Sequence, residues 1–381
     1  MPYSAMIRTR APFLRRLVLE DRTSMRARFR PFLSSFLAVL VIACGLTARA
    51  QACTTFCLRD GGRILFGKNY DWKVGDGMLV VNQRGLARQA DLARDKPASW
   101  VARYGSVTFN QYGRDFPSGG MNEAGLVIEL MWMEGSRYPA PDARPAVDVL
   151  QWIQYNLDTH STVAEVLAAD QKVRIAGDVP LHYLVADRRG QVATVELLDG
   201  RMVAHTGKDL PVAALTNSTY QESATARQET KARHLAPPEG PGSLARFARA
   251  AERVDAFDGR KGDAVAYAFA TLDQVAQGSF TQWSIVYEID RLRVHFRTRD
   301  HRPLRTLSLA ALDFACGHPV QALRLDAKVQ GDVARDLVPY TRQINYDLLR
   351  AAMSKTPFLA ATPDAEVRRL AAYPEADVCR R

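Results

Sequence analysis

The chain has 381 residues, 47% of them hydrophobic and 24% charged, with five cysteines and a formal net charge of +10. This composition excludes a chain disordered throughout, and the absence of a glycine period or sustained heptad excludes collagen and coiled coil. A basic excess admits a nucleic-acid or anionic-membrane partner, so its location along the chain decides.

Residues 1–52 hold nine arginines and no lysine against Glu20 and Asp21, a balance of +7, whereas the remainder carries 42 basic and 39 acidic residues. The excess therefore lies in the leader, and without a basic stripe downstream nucleic acid is not an expected partner. Met25 to Arg30 is a basic stretch, Phe32 to Ala43 is apolar apart from Ser34 and Ser35, and Ala50-Gln51-Ala52 is a small-x-small cleavage pattern. Together they read as an export signal, with Met25 as the start and the cut after Ala52. The working protein is then residues 53–381, periplasmic or secreted. The apolar run is shorter than the roughly 20 residues that span a bilayer, which disfavours an N-terminal anchor and stable membrane insertion. Val41-Ile42-Ala43-Cys44 offers a competing lipoprotein cleavage before Cys44, which would leave Cys53 inside the chain.

Beyond the cut, Thr54 to Leu58 and Arg63 to Gly67 predict a hairpin around Asp60-Gly61-Gly62. Leu79 to Val81 and Val107 to Phe109 predict strands, and 119–125 a glycine-rich turn leading into a buried strand, Leu126 to Trp132. Pro145 opens a helix with Val149, Trp152, Ile153 and Leu157 on one face. Thr162 with Glu165 is a capping box opening a second. Tyr183 to Val185 and Ala193 to Leu197 read as a hairpin, and Val212 to Thr216 as a strand. Residues 222–242 read as a polar, proline-bearing loop. Helices are expected from Ser243 and from Asp263 to about Gln274, then a hairpin of Trp283 to Tyr287 with Val294 to Arg297. The tail after 318 is weakly patterned. Hairpins with helices in consecutive pairs predict an α+β protein of stacked antiparallel sheets with helices outside, and no domain boundary stands out.

Four cysteines follow the cut. Cys53 and Cys57 on one strand lie roughly 13 Å apart, beyond the roughly 7 Å that a disulfide bridges. Cys316 and Cys379 remain as a candidate pair that would tie down the tail. The seven histidines are scattered, without CxxC or HxxxH spacing, so no metal is expected. A papain-like site would need a partner histidine with a supporting motif, and none is visible.

Cut after Ala52, the chain begins at Cys53. A thiol needs a base to become a thiolate. A terminal cysteine carries one in its own α-amino group, whose reference pKa of about 7.7–8.0 leaves it partly neutral near physiological pH.

Cys53-Thr54-Thr55 is followed by Phe-Gly-Lys-Asn-Tyr-Asp-Trp at 66–72, Met-Asn-Glu-Ala-Gly-Leu at 121–126 and Leu-Thr-Asn-Ser at 215–218. Ser-Leu-Ala-Arg-Phe follows at 243–247 and Thr-Gln-Trp-Ser-Ile-Val-Tyr at 281–287. In order and spacing, over roughly residues 53–300, this resembles the choloylglycine hydrolase and penicillin V acylase family of N-terminal nucleophile hydrolases. The resemblance implies a four-layer αββα sandwich and cofactor-free hydrolysis of a linear, non-peptide amide. Position by position it implies Cys53 as nucleophile, Asp71 holding its amine, Asn217 as oxyanion donor and Arg246 supporting the charge network. Asn69 is a weaker substrate-binding candidate. A homodimer or homotetramer is also implied.

Two positions depart from the bile-salt pattern. Lys68 stands where arginine is usual, keeping the positive charge but not the planar fork. Trp132 stands where bile-salt hydrolases have asparagine, and 130–139 looks more like the Gram-negative penicillin V acylase branch. An indole suits an aromatic or fatty acyl group, as in penicillin V or acyl-homoserine lactones, better than a polyhydroxylated steroid. A bile-salt hydrolase and a catalytically silent ligand-binding relative are the alternatives.

Overall fold

The computed structural model describes residues 53–92 and 95–380. The expected leader, with Met25 and Cys44, lies outside these residues.

Two large sheets stack face to face. The first has seven strands in the order Ala214–Leu215, Thr54–Asp60, Arg63–Asp71, Thr281–Glu288, Arg293–Thr298, His301–Ser308 and Gly331–Asp332. The second has nine, in the order Arg201–Thr206, Val192–Leu198, Leu181–Ala186, Val127–Trp132, Pro117–Asn122, Ser106–Asn110, Met78–Asn82, Gln321–Arg324 and Val338–Pro339. Neighbours run antiparallel except at the edge pair His301–Ser308 with Gly331–Asp332. Phe109 of the second sheet meets Tyr287 and Phe296 of the first edge-on, at 6.3 and 5.4 Å between ring centroids.

Helices Ser243–Asp255 and Ala264–Gln274 cover the outer face of the first sheet, and Gln151–Thr159 covers that of the second. Trp152 of the latter packs on Tyr183, 4.5 Å between rings. The result is the expected helix–sheet–sheet–helix stack. Strands buried on both faces follow from it: Thr54 to Leu58 reads as a continuous buried run because one face meets the other sheet and the other meets helices.

The details differ in four places. Residues 222–242 do not form one loop, because Tyr220–Ala232 is a helix opened by a Thr219–Glu222 capping box. Only its Tyr220 and Ser223 are buried, so the sequence carries no apolar stripe to announce it. The helix after Pro145 begins at Gln151; Ala146–Asp148 instead pairs in parallel with Arg174–Ala176. Gly119 and Gly120 belong to a strand rather than a turn. There the glycine is needed for space, since a Cβ on Gly119 would come within 2.1 Å of the Glu129 carboxyl carbon. The tail folds into helices Arg342–Ser354 and Asp364–Ala372, packed through Leu349 and Met353 on Val367 and Ala371. Cys316 and Cys379 form a disulfide, with Cα atoms 5.8 Å apart, while Cys53 and Cys57 are free thiols.

Candidate active site

Cys53 sits directly before the strand Thr54–Asp60, which pairs with Arg63–Asp71 in a register setting Thr54 opposite Asn69. That pairing brings the thiol to the end of the neighbouring strand, where it faces the main-chain carbonyl of Asp71 at 3.9 Å. Cys53 and Asp71 both line a cavity of about 310 Å³.

Arg246, fully buried on the helix Ser243–Asp255, binds the strand from the outer side. Its Nη1 donates to the Cys53 carbonyl at 2.6 Å and to Thr54 Oγ1 at 2.7 Å, and its Nη2 donates to Asn217 Oδ1 at 2.9 Å. One guanidinium therefore fixes the residue bearing the thiol and orients the Asn217 amide. With Oδ1 so engaged, Asn217 Nδ2 donates to the Trp132 carbonyl at 2.6 Å. Ser243 Oγ accepts from the backbone N–H groups of Asn217 and Ser218 at 3.0 and 2.9 Å, which pins this turn.

Asp71 accepts from Thr281 Oγ1 at 2.5 Å and from Gln277 Nε2 at 2.9 Å. Burial pushes its carboxyl up, opposed by Thr281, Arg246, Gln277 and Lys68. Burial also raises the Cys53 thiol, against the lowering pull of the Lys68 ammonium. The resting thiol is therefore protonated, and a base is required to activate it. Burial lowers the Arg246 guanidinium to about 10, with Asp71 and Cys53 opposing.

Lys68 projects between the sheets, wholly buried. It donates to the Leu130 carbonyl and lies 3.8 Å from Glu129 Oε2, on the opposite sheet. Tyr287 donates to the other oxygen of Glu129 at 2.6 Å. Desolvation raises the Glu129 carboxyl to about 7, with Lys68 and Tyr287 holding it down. A carboxyl whose folded pKa exceeds its unfolded value contributes stability below the unfolded value, about 4.3, and loses it as pH rises through the folded one. Wild type is therefore expected to lose more stability than Glu129→Gln between pH 5 and pH 8, by roughly 3 kcal/mol at most. Urea midpoints at the two pH values check this; parallel losses would contradict it.

Of the remaining sequence candidates, Trp132 lines the cavity, its ring 5.8 Å from that of Trp72. Asn69 does not line it. Strand alternation turns its amide outward, donating to the Leu272 carbonyl at 2.7 Å and accepting from Ser284 at 2.8 Å. Its place is the sheet–helix interface, a correction to the substrate-binding expectation. Lys68, Asn217 and Arg246 are not among the residues that line this cavity. Sequence reasoning assigned no role to Thr281, Gln277, Ser243, Glu129 or Trp72. Thr281, Ser243 and Trp72 all stand inside the quoted motifs, where a signal was present. Among the described residues no group of three or more His, Cys, Asp or Glu is placed to hold a metal ion.

A cysteine leading a buried strand of an αββα stack, clamped through its carbonyl beside a buried aspartate, is an arrangement of the N-terminal nucleophile fold. Residues 53–231 match the linear amide C–N hydrolases, choloylglycine hydrolase family. Penicillin V acylase of Pectobacterium atrosepticum is 32% identical over 215 residues, 50% of this chain and 56% of that protein. The chain thus matches little more than half the length of that relative. The solved penicillin V acylase of Agrobacterium tumefaciens superposes with a TM-score of 0.68 at 25% identity, covering 76% of this chain and 98% of that one. A conjugated bile acid hydrolase variant from Clostridium perfringens shares the fold, with a TM-score of 0.62 at 17% identity over 73% of this chain and 98% of that one.

Proposed function

We propose that the protein is exported, cut after Ala52, and hydrolyses linear amides bearing an aromatic or fatty acyl group, of the penicillin V or acyl-homoserine lactone type. The observation that carries this reading is the Cys53 thiol opening into a cavity walled by Trp72, Trp132, Leu130 and Leu181. Such walls suit an apolar acyl group and offer few partners for steroid hydroxyls.

In the mechanism, the α-amine of Cys53 takes the thiol proton and the thiolate attacks the amide carbon. The carbonyl oxygen becomes an oxyanion, stabilised by an Asn217 N–H. The protonated amine gives its proton to the leaving nitrogen as the C–N bond breaks, leaving a thioester. Water, deprotonated by the same amine, then attacks the thioester and releases the acid and the thiolate. Asp71 and Arg246 hold the two ends of residue 53, and Lys68 favours the thiolate. Every proton moves between the Cys53 thiol and α-amine, the leaving nitrogen and water.

A substrate panel on protein beginning at Cys53 tests the assignment: penicillin V, short and long acyl-homoserine lactones, and glycine- or taurine-conjugated bile salts. Preference for the aromatic or fatty acyl members is expected. Preferential bile-salt cleavage would overturn the acyl assignment, and reaction of Cys53 with a thiol reagent without hydrolysis of any member would point to a silent relative.

A further inference from the structure

The cavity around Cys53 is closed in part by the C-terminal segment. Phe358, Leu359 and Leu370 line it, although all three lie well beyond residues 53–231. Phe358 stands in the bend between the last two helices and is 46% exposed, unusual for so large an apolar side chain. Its ring meets Trp72 edge-on, 6.5 Å between centroids, extending the Trp72–Trp132 pair outward from the thiol.

The segment is fastened at several points. The Tyr112 hydroxyl accepts from Trp72 Nε1 at 2.8 Å and bonds Thr356 Oγ1 at 2.9 Å, so one side chain joins the cavity floor to the segment. Arg369, next to Leu370, grips Asp91 through two bonds of 3.0 and 2.8 Å. Asp377 lies 3.1 Å from the buried Arg88, and Cys379 is bonded to Cys316. A wall held this way meets a ligand in a fixed shape, and a fixed apolar wall discriminates by length and volume.

We propose that the C-terminal segment is the selectivity wall for the acyl group: Phe358, Leu359 and Leu370 contact its distal carbons and set the length accepted. The proposal rests on the acyl-amide reading above for its substrate, and its test separates the two. N-butanoyl- and N-dodecanoyl-homoserine lactone are compared as substrates for wild type, Phe358→Ala and Leu370→Ala, with Leu304→Ala, an exposed site outside the cavity, as control. In parallel, butanoate and dodecanoate are titrated into the same variants carrying Cys53→Ala, followed by tryptophan fluorescence, which needs no turnover. The wall predicts a change of about 10-fold or more in the dodecanoyl-to-butanoyl ratio of kcat/KM, and a matching change in the ratio of Kd, for the cavity variants alone. The exposed Phe358 can be truncated without opening the core, so that variant stays informative if Leu370→Ala fails to fold. Ratios equal to wild type in both measurements would overturn the wall. A shifted binding ratio without hydrolysis by any protein would uphold the wall and overturn the amide-hydrolase reading.

Discussion

Cys53→Ala, processed to begin at residue 53, is expected to lose amide hydrolysis down to background. The loss is expected to be on the order of 10⁶-fold, as when the nucleophile of a covalent hydrolase is removed. The cause is chemical rather than structural. The residue is small and its carbonyl, not its thiol, is what Arg246 binds at 2.6 Å. Alanine keeps that bond, so the clamp and the cavity survive while the electron pair that attacks the amide is gone. Cys53→Ser should also be inactive in practice, because a hydroxyl is far less readily ionised than a thiol. Burst and steady-state rates on an acyl-homoserine lactone measure the effect, with unfolding curves confirming that the protein remains intact. Turnover by the purified alanine variant would remove Cys53 from the mechanism.

Asn217→Ala is the second large effect, expected at about 10²–10³-fold in kcat, the usual cost of one oxyanion donor. The hydrogen bonds fix which end of this amide carries the N–H groups. Arg246, which can only donate, takes Oδ1, so the NH₂ is directed at Trp132 O. An NH₂ has two hydrogens, and the Trp132 carbonyl uses one. Asn217→Asp separates donation from size: it preserves the contact to Arg246, places a second oxygen where the donor was, and should be no better than alanine. Equal kcat in Asn217→Asp and wild type would show that the donor lies elsewhere. Because Arg246 holds both Asn217 and Cys53, Arg246→Ala and Asn217→Ala should combine less than additively.

Much of the site was legible because its parts stand in short motifs at strand ends and on one helix. Cys53, Asp71, Asn217 and Arg246 were each placed from the sequence, and the fold brings them together. Glu129 was not legible, since its pairing with Lys68 runs between two sheets and no local pattern links residues 61 positions apart. The place of Asn69 follows from strand alternation: Lys68 and Tyr70 on the inner face put Asn69 outside. The stacked sheets followed from the order of hairpins and helices. The polar helix Tyr220–Ala232 did not, because a Thr219–Glu222 capping box marks only its start and its exposed faces carry no apolar period. The tail's contribution was hidden most deeply. Phe358 and Leu370 acquire their place through long-range contacts, namely the Tyr112–Thr356 hydrogen bond, the apolar packing of the last two helices, the ion pairs and the disulfide.

The central claim is that hydrolysis belongs to a chain whose first residue is Cys53. Intact mass spectrometry of the active protein, before and after mixing with a slowly turned-over acyl amide, tests it most directly. The account predicts a chain beginning at Cys53 that gains the mass of one acyl group, mapped to the peptide starting at that residue. Full activity in a protein still carrying residues ahead of Cys53, such as a chain beginning at Cys44, or an acyl group mapped to any other side chain, would contradict it.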